Sequence, residues 1–149
     1  MNQSEYYCTQ IEFGTPECDQ ALRLRDLVLR QPLGMVFDPD DIAKEFDSYH
    51  FACFEVKTHQ MVATLILKPI TSDVVKMRQV AVDPSLQSTG IGTMLVNESE
   101  IFAKNNGFKK IELNARDTAV PFYLKSGYKR EGDVFKEVGI DHYFMYKLL

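Results

Sequence analysis

Hydrophobic positions along the chain fall into short runs separated by turn residues, each with a strand-like or a helix-like spacing. Tyr6 to Phe13 reads as a short strand. Thr15-Pro16-Glu17 opens a helix, with Thr15 as cap and Pro16 at the first helical position, where its missing N–H is not needed. Ala21, Leu24 and Val28 give that helix an apolar stripe with Leu27 beside it, and Pro32-Leu33-Gly34 ends it. Asp38-Pro39 starts a second, short helix that runs to about Phe46. Strands are expected near His50–Val56 and Met61–Lys68, joined by Lys57-Thr58-His59-Gln60, and a third from Val74 to Val82. A glycine-containing turn leads into a helix that Asn106-Gly107 stops, with Ile91, Met94, Leu95, Glu98, Ile101 and Phe102 on one side. Ile111–Ala115 reads as a strand and Ala119–Ser126 as a short helix ended by Gly127. Tyr128–Phe135 and His142–Lys147 are expected as closing strands. This order describes one α/β domain around a mixed sheet, spanning residues 1–149.

Composition narrows the classes. With 149 residues, 45% hydrophobic and 26% charged, the chain has the make-up of a soluble globular domain with a sizeable core. Its formal charge of −4 and the scatter of its 17 Lys and Arg residues speak against nucleic acid as a partner. Cys8, Cys18 and Cys53 are an odd count without regular spacing, so neither a disulfide framework nor a metal site is expected. Met1-Asn2-Gln3-Ser4-Glu5 lacks the pattern of a signal peptide, and no apolar stretch approaches the roughly 20 residues that cross a bilayer. The expectation is a reduced, cytoplasmic protein without membrane contact.

The strongest chemical signal is the turn Gln87-Ser88-Thr89-Gly90-Ile91-Gly92-Thr93 between the Val74–Val82 strand and the following helix. Backbone N–H groups at a helix start have no intrahelical acceptor, and the helix dipole favours negative charge there. Gly90 and Gly92 lack a Cβ, so a phosphate can come close to the backbone. A Walker loop is excluded, because Gly92 is followed by Thr93-Met94 rather than by Lys and Ser or Thr. A dinucleotide fingerprint is excluded as well, since Leu95 stands where its third glycine is required.

Gln87-Ser88-Thr89-Gly90-Ile91-Gly92 resembles the Gln/Arg-x-x-Gly-x-Gly/Ala motif of the GNAT superfamily of acyl-CoA N-acyltransferases. Ala119-Val120-Pro121-Phe122-Tyr123-Leu124-Lys125-Ser126-Gly127-Tyr128 is similar to that superfamily's second hallmark. A looser likeness to its ElaA-like, also YjcF-like, branch rests on Leu24-Arg25-x-x-Val28-Leu29, Met77-Arg78-Gln79-Val80-Ala81-Val82, Leu113-Asn114-Ala115-Arg116 and Glu137-Val138-Gly139-Ile140-Asp141-His142. The resemblance implies a single-domain GNAT fold: a central mixed, mostly antiparallel twisted sheet of about six to seven strands flanked by about four helices. It implies acetyl-CoA as co-substrate, no metal, and transfer of the acetyl group to an amine on a small molecule or a protein. It also admits a homodimer. Backbone N–H groups from about Ser88 to Thr93, including Thr89, Gly90, Ile91 and Gly92, would hold the CoA pyrophosphate. The pantetheine arm would run beside Val80 and Val82, with one backbone N–H there facing the thioester carbonyl.

The resemblance assigns Tyr123 as the acid that protonates the departing thiolate. The Val74–Val82 strand contains no carboxylate, so the general base must come from elsewhere: His142, Glu112, or ordered water. His142 and Glu112 can equally be a structural histidine and a solvent-facing carboxylate. Arg78 either projects into the acceptor cleft and selects an anionic group, or pairs with Asp73 or Glu112. Arg116 either contacts a CoA phosphate or substrate carboxylate, or pairs with Asp117 or Glu131. Phe37, Tyr49, Tyr143 and Phe144 are read as core, and Cys53 as a small buried residue. An acyl-CoA-binding sensor with little or no transferase activity is the alternative function.

Overall fold

Alternation of side chains across the strands decides where the two cores lie. The computed structural model describes residues 5–149, so the reading of Met1 to Ser4 lies outside the described residues. The strands are β1 (Tyr6–Ile11), β2 (Tyr49–Glu55), β3 (Met61–Pro69), β4 (Val74–Val82), β5 (Lys110–Arg116), β6 (Lys129–Arg130), β7 (Phe135–Glu137) and β8 (Ile140–Leu148). They form one eight-stranded sheet in the order β1-β2-β3-β4-β5-β8-β6, with β7 also paired to β8. Only β4 and β5 run parallel; the other pairs are antiparallel. The helices are α1 (Pro16–Arg25), α2 (Pro39–Ala43), α3 (Ile91–Asn105) and α4 (Val120–Lys125).

The sheet is mixed and mostly antiparallel as expected, and the extra strand has a local cause. Tyr128–Phe135, expected as one strand, is two short pieces along the outer edge of β8. Lys129 and Arg130 pair with Tyr146 and Met145, and Phe135–Glu137 pairs with Ile140–His142. Between the pieces, Gly132 takes φ +82, which breaks the extended backbone.

Phe51 and Cys53 point to one face of β2, Ala52 and Phe54 to the other. The first face belongs to the larger core, which α3 covers with Ile91, Leu95, Val96 and Ala103. The second packs under α1 through Cys18, Ala21 and Leu24. Strands β2 and β3 are therefore buried almost throughout, as strands covered on both faces must be. Two stripes differ from expectation. On α3, Ile101 is 56% exposed while Ser99 and Ala103 are fully buried. The contact line is the i, i+4 row Ile91-Leu95-Ser99-Ala103, whose small residues let the helix lie close to the sheet. After α1 the chain makes a π-type turn over Asp26–Arg30, which leaves Leu27 exposed and packs Val28 and Leu29 inward. No helix among the described residues is long and apolar enough to cross a membrane.

One irregularity positions the site. Thr64 pairs with Ala81 but Ile66 pairs with Arg78, so β4 carries one extra residue opposite Leu65. This β-bulge puts Gln79 at φ +57, in the left-handed region. On its other edge, β4 pairs with β5 only from Val74 to Lys76. Beyond that, β5 continues on β8 as far as Arg116, and β4 and β5 part.

Candidate active site

The wedge between the parted strands opens onto a cavity of about 550 Å³. Arg78 and Val80 of β4, Asn114 and Arg116 of β5, Tyr123 of α4 and His142 of β8 are on its walls. At the other end of β4 lies the glycine turn. Asp83 accepts from the Ser85 N–H at 2.9 Å and from its hydroxyl at 2.7 Å. Gln87 Nε2 donates to the Val82 carbonyl at 3.2 Å, and the Thr89 hydroxyl donates to the Leu86 carbonyl. Ser88 and Gly90 sit at φ +65 and +93, and Gly90 caps α3. Side chains thus fasten the turn. The N–H groups of Ile91, Gly92 and Thr93 head the first turn of α3, where no intrahelical acceptor exists. The Gly92 hydrogen faces the Phe122 ring and Val82, so this glycine serves close packing of α3 on α4 and β4.

Tyr123 is 7% exposed and packs edge-on to Phe122 and Tyr128 at centroid distances of 5.0 and 5.6 Å. Burial raises its phenol well above the ordinary tyrosine value, so the group stays protonated at any working pH. No hydrogen bond engages its hydroxyl among the described residues, which leaves it available to the cavity. His142, 5% exposed, stacks on Phe135 and donates from Nδ1 to the Ile140 carbonyl at 2.8 Å. A carbonyl can only accept, so a proton is on Nδ1, and in the neutral ring the lone pair is then on Nε2. The structure does not bring Glu112 to this group. It lies where β4 and β5 are still paired, opposite Lys76 and 4.0 Å from Lys110 Nζ, outside the cavity.

Neither arginine forms the ion pair weighed for it. Arg78 pairs with neither Asp73 nor Glu112, and Arg116 reaches the Leu29 carbonyl at 3.4 Å instead of Asp117 or Glu131. Arg116 sits directly opposite His142 on β8 and faces the cavity, whose walls do not include the glycine turn. Sequence reading missed Arg30, which the π-type turn carries to the same cavity, where its Nη2 is 3.4 Å from Gln79 Oε1. It also missed Val138, on the cavity wall at φ +48 in the tight β7–β8 turn. A second hollow of about 540 Å³ adjoins and shares Arg30, Arg78, Gln79 and Val138. Phe37, read as core, lines this hollow outside both cores, under the guanidinium groups of Arg25 and Arg30 at 5.5 and 5.0 Å. Tyr49 does pack on the larger core.

Residues 29–149 match the family of the acetyltransferase (GNAT) domain. The chain is 36% identical over 73 residues to the uncharacterized N-acetyltransferase YjcF of Bacillus subtilis, a match covering 48% of this chain and 52% of that protein. The crystal structure of Escherichia coli ElaA superposes with a TM-score of 0.78 at 20% identity, covering 95% of this chain and 99% of that one. A GNAT family acetyltransferase from Elizabethkingia anophelis, with acetyl-CoA bound, superposes with a TM-score of 0.73 at 18% identity, covering 97% and 99%. The mixed eight-stranded sheet, the parted β4 and β5, the two sequence hallmarks and the family match agree. The chain belongs to the GNAT acetyltransferase family.

Proposed function

We propose that the chain, as one domain, is an N-acetyltransferase that moves an acetyl group from acetyl-CoA to a primary amine by direct attack. The observation that carries this reading is the parting of β4 and β5 after Lys76, which opens a slot leading toward Tyr123 and His142. The site fits acetyl-CoA: a helix start for the pyrophosphate, and a β4 edge without a strand partner for the pantetheine amides. Bound there, acetyl-CoA supplies an acetyl thioester. The N–H groups from Ser88 to Thr93 hold the phosphates, while Gln87 and Thr89 keep the turn in shape. The Val80–Val82 backbone orients the arm and offers an N–H to the thioester oxygen, a donor worth about 2.7–4 kcal/mol when preorganised.

Tyr123 gives its phenol proton to the sulfur as the C–S bond breaks. His142 takes the amine's proton at Nε2, directly or through a water. Arg78 helps to hold the acceptor. The three thiols, all unpaired, fit a reduced compartment such as the cytoplasm. Release of free thiol from acetyl-CoA across a panel of amines tests the reading. Amine-dependent release is the expected result. Tight acetyl-CoA binding without release on any amine would make the protein an acyl-CoA sensor.

A further inference from the structure

Three guanidinium groups meet at one cavity. Arg30, Arg78 and Arg116 are each half-buried, and none makes an ion pair among the described residues. Their partners are neutral: Gln79 Oε1 at 3.4 Å and the Phe37 ring at 5.0 Å for Arg30, and the Leu29 carbonyl at 3.4 Å for Arg116. The buried carboxylate nearby, Glu45, is committed to Arg25 through both oxygens at 2.8 Å. Lys68 and Lys76 also line the cavity, against a single carboxylate, the exposed Glu137, which holds Asn114 at 3.4 Å. The charges repel one another. Arg30 is pushed below its ordinary value by burial first, then by Arg25, with Arg116 and Arg78 adding and Glu45 opposing.

A chain of net charge −4 has therefore gathered positive charge at the cavity of the proposed active site. Half-burying guanidinium groups without a charged partner is costly, and their planar fork matches a carboxylate or phosphate. The donor's own phosphates are placed elsewhere. Arg78 stands four residues before Val82, about 13 Å back along an extended strand, and the glycine turn lines neither hollow. The second hollow extends the site past Arg30 and Arg78; there Asp38 and Asp41 join the lining, so the surplus of positive charge is confined to the cavity that Tyr123 and His142 share. Gln79 and Val138, both at positive φ, line the two hollows where they meet, and such strain collects at binding sites.

We propose that the amine acceptor carries an anionic group, a carboxylate or a phosphate ester, which Arg30, Arg78 and Arg116 hold while its amine faces the thioester. This rests on the N-acetyltransferase reading above. The amine nitrogen bonds to the acetyl carbon and the C–S bond breaks. One amine proton leaves to His142 or water, the sulfur receives the Tyr123 proton, and the anionic group is unchanged throughout.

Matched amines test it in the thiol-release assay: glycine against glycinamide, β-alanine against its amide, and phosphoethanolamine against ethanolamine. The anionic member is expected to lead by about tenfold or more in kcat/KM in at least one pair, and the leading pair tells carboxylate from phosphate. Arg78→Gln and Arg30→Gln should each shrink that lead to about threefold or less. Equal turnover within every pair, or a lead for the neutral amines, overturns the proposal. So does a loss of acetyl-CoA affinity in Arg78→Gln as large as the loss in acceptor KM, which would assign the arginine to the donor phosphates. A turnover-free arm titrates N-acetyl-β-alanine and its uncharged amide into the protein, followed by NMR. About tenfold tighter binding of the acid is expected; equal affinity overturns the proposal whatever the assay gives. Failure of the transferase reading looks different: no thiol is released on any amine, while the titration still separates acid from amide.

Discussion

Gly92, in the first turn of α3, lies against the ring of Phe122: a Cβ built on it would stand 3.4 Å from Phe122 Cε1 and Cζ and 3.5 Å from a Val82 methyl. The two sequence hallmarks, far apart in the chain, therefore meet in one contact at the end of β4. The glycine turn and the helix bearing Tyr123 cannot shift independently, which couples the donor end of the site to the acid.

That contact sets how large residue 92 can be. Gly92→Ala places its methyl at ordinary contact distance and gains helix propensity, so its stability should stay within about 1 kcal/mol of the wild type. Gly92→Leu must displace Phe122 and should lose about 1–3 kcal/mol. Urea unfolding of the two variants measures both.

Arg25 and Glu45 tie α1 to the turn after α2, with side chains 2% and 7% exposed. Removing one partner strands a buried charge, so Glu45→Ala should cost about 3–5 kcal/mol in urea unfolding. Arg25→Met with Glu45→Leu removes both charges and should recover most of that loss. Equal losses in the single and double variants would contradict the pairing.

Val138 holds φ +48 in the β7–β8 turn, a conformation that a β-branched residue adopts only under strain. Val138→Asn relieves it and should stabilise the protein by about 1 kcal/mol, visible as a rise in Tm of roughly 2–4 °C. Because Val138 lines both hollows, the same exchange should raise KM for the acceptor.

Burial raises the Tyr123 phenol above its ordinary 10.0, and Tyr128 is raised by burial first and then by the Glu100 charge. In each case the folded value exceeds the unfolded one, so their contribution to stability is full below pH 10.0 and is lost as pH rises beyond it. Tyr123→Phe should therefore lose less stability than the wild type between neutral and strongly alkaline pH. Its kcat should fall by about 10²–10⁴-fold at neutral pH. An unchanged kcat at saturating acetyl-CoA would remove Tyr123 from the mechanism.

The parts of the fold legible in the sequence were those written in local signals. Pro16 opens α1, Gly90 and Asn106-Gly107 bracket α3, and the β2 to β5 runs show as apolar stretches. What escaped depends on one-residue offsets that no spacing rule carries. The π-type turn at Asp26–Arg30 rotates Leu27 out and Arg30 into the cavity, and the bulge at Gln79 re-aims the rest of β4. Ser99 and Ala103 are buried in place of Ile101 because closeness to the sheet outweighs side-chain size. Arg78 and Tyr123 could be named from sequence, but that Arg78 has no carboxylate partner among the described residues and that Tyr123 is deeply buried follow from packing across distant strands.

Calorimetric titration of acetyl-CoA into the wild-type protein tests the assigned donor most directly. One molecule bound per chain, displaced by CoA but not by ATP or NAD, is the expected result. No heat at millimolar acetyl-CoA, or displacement by ATP or NAD, would contradict it.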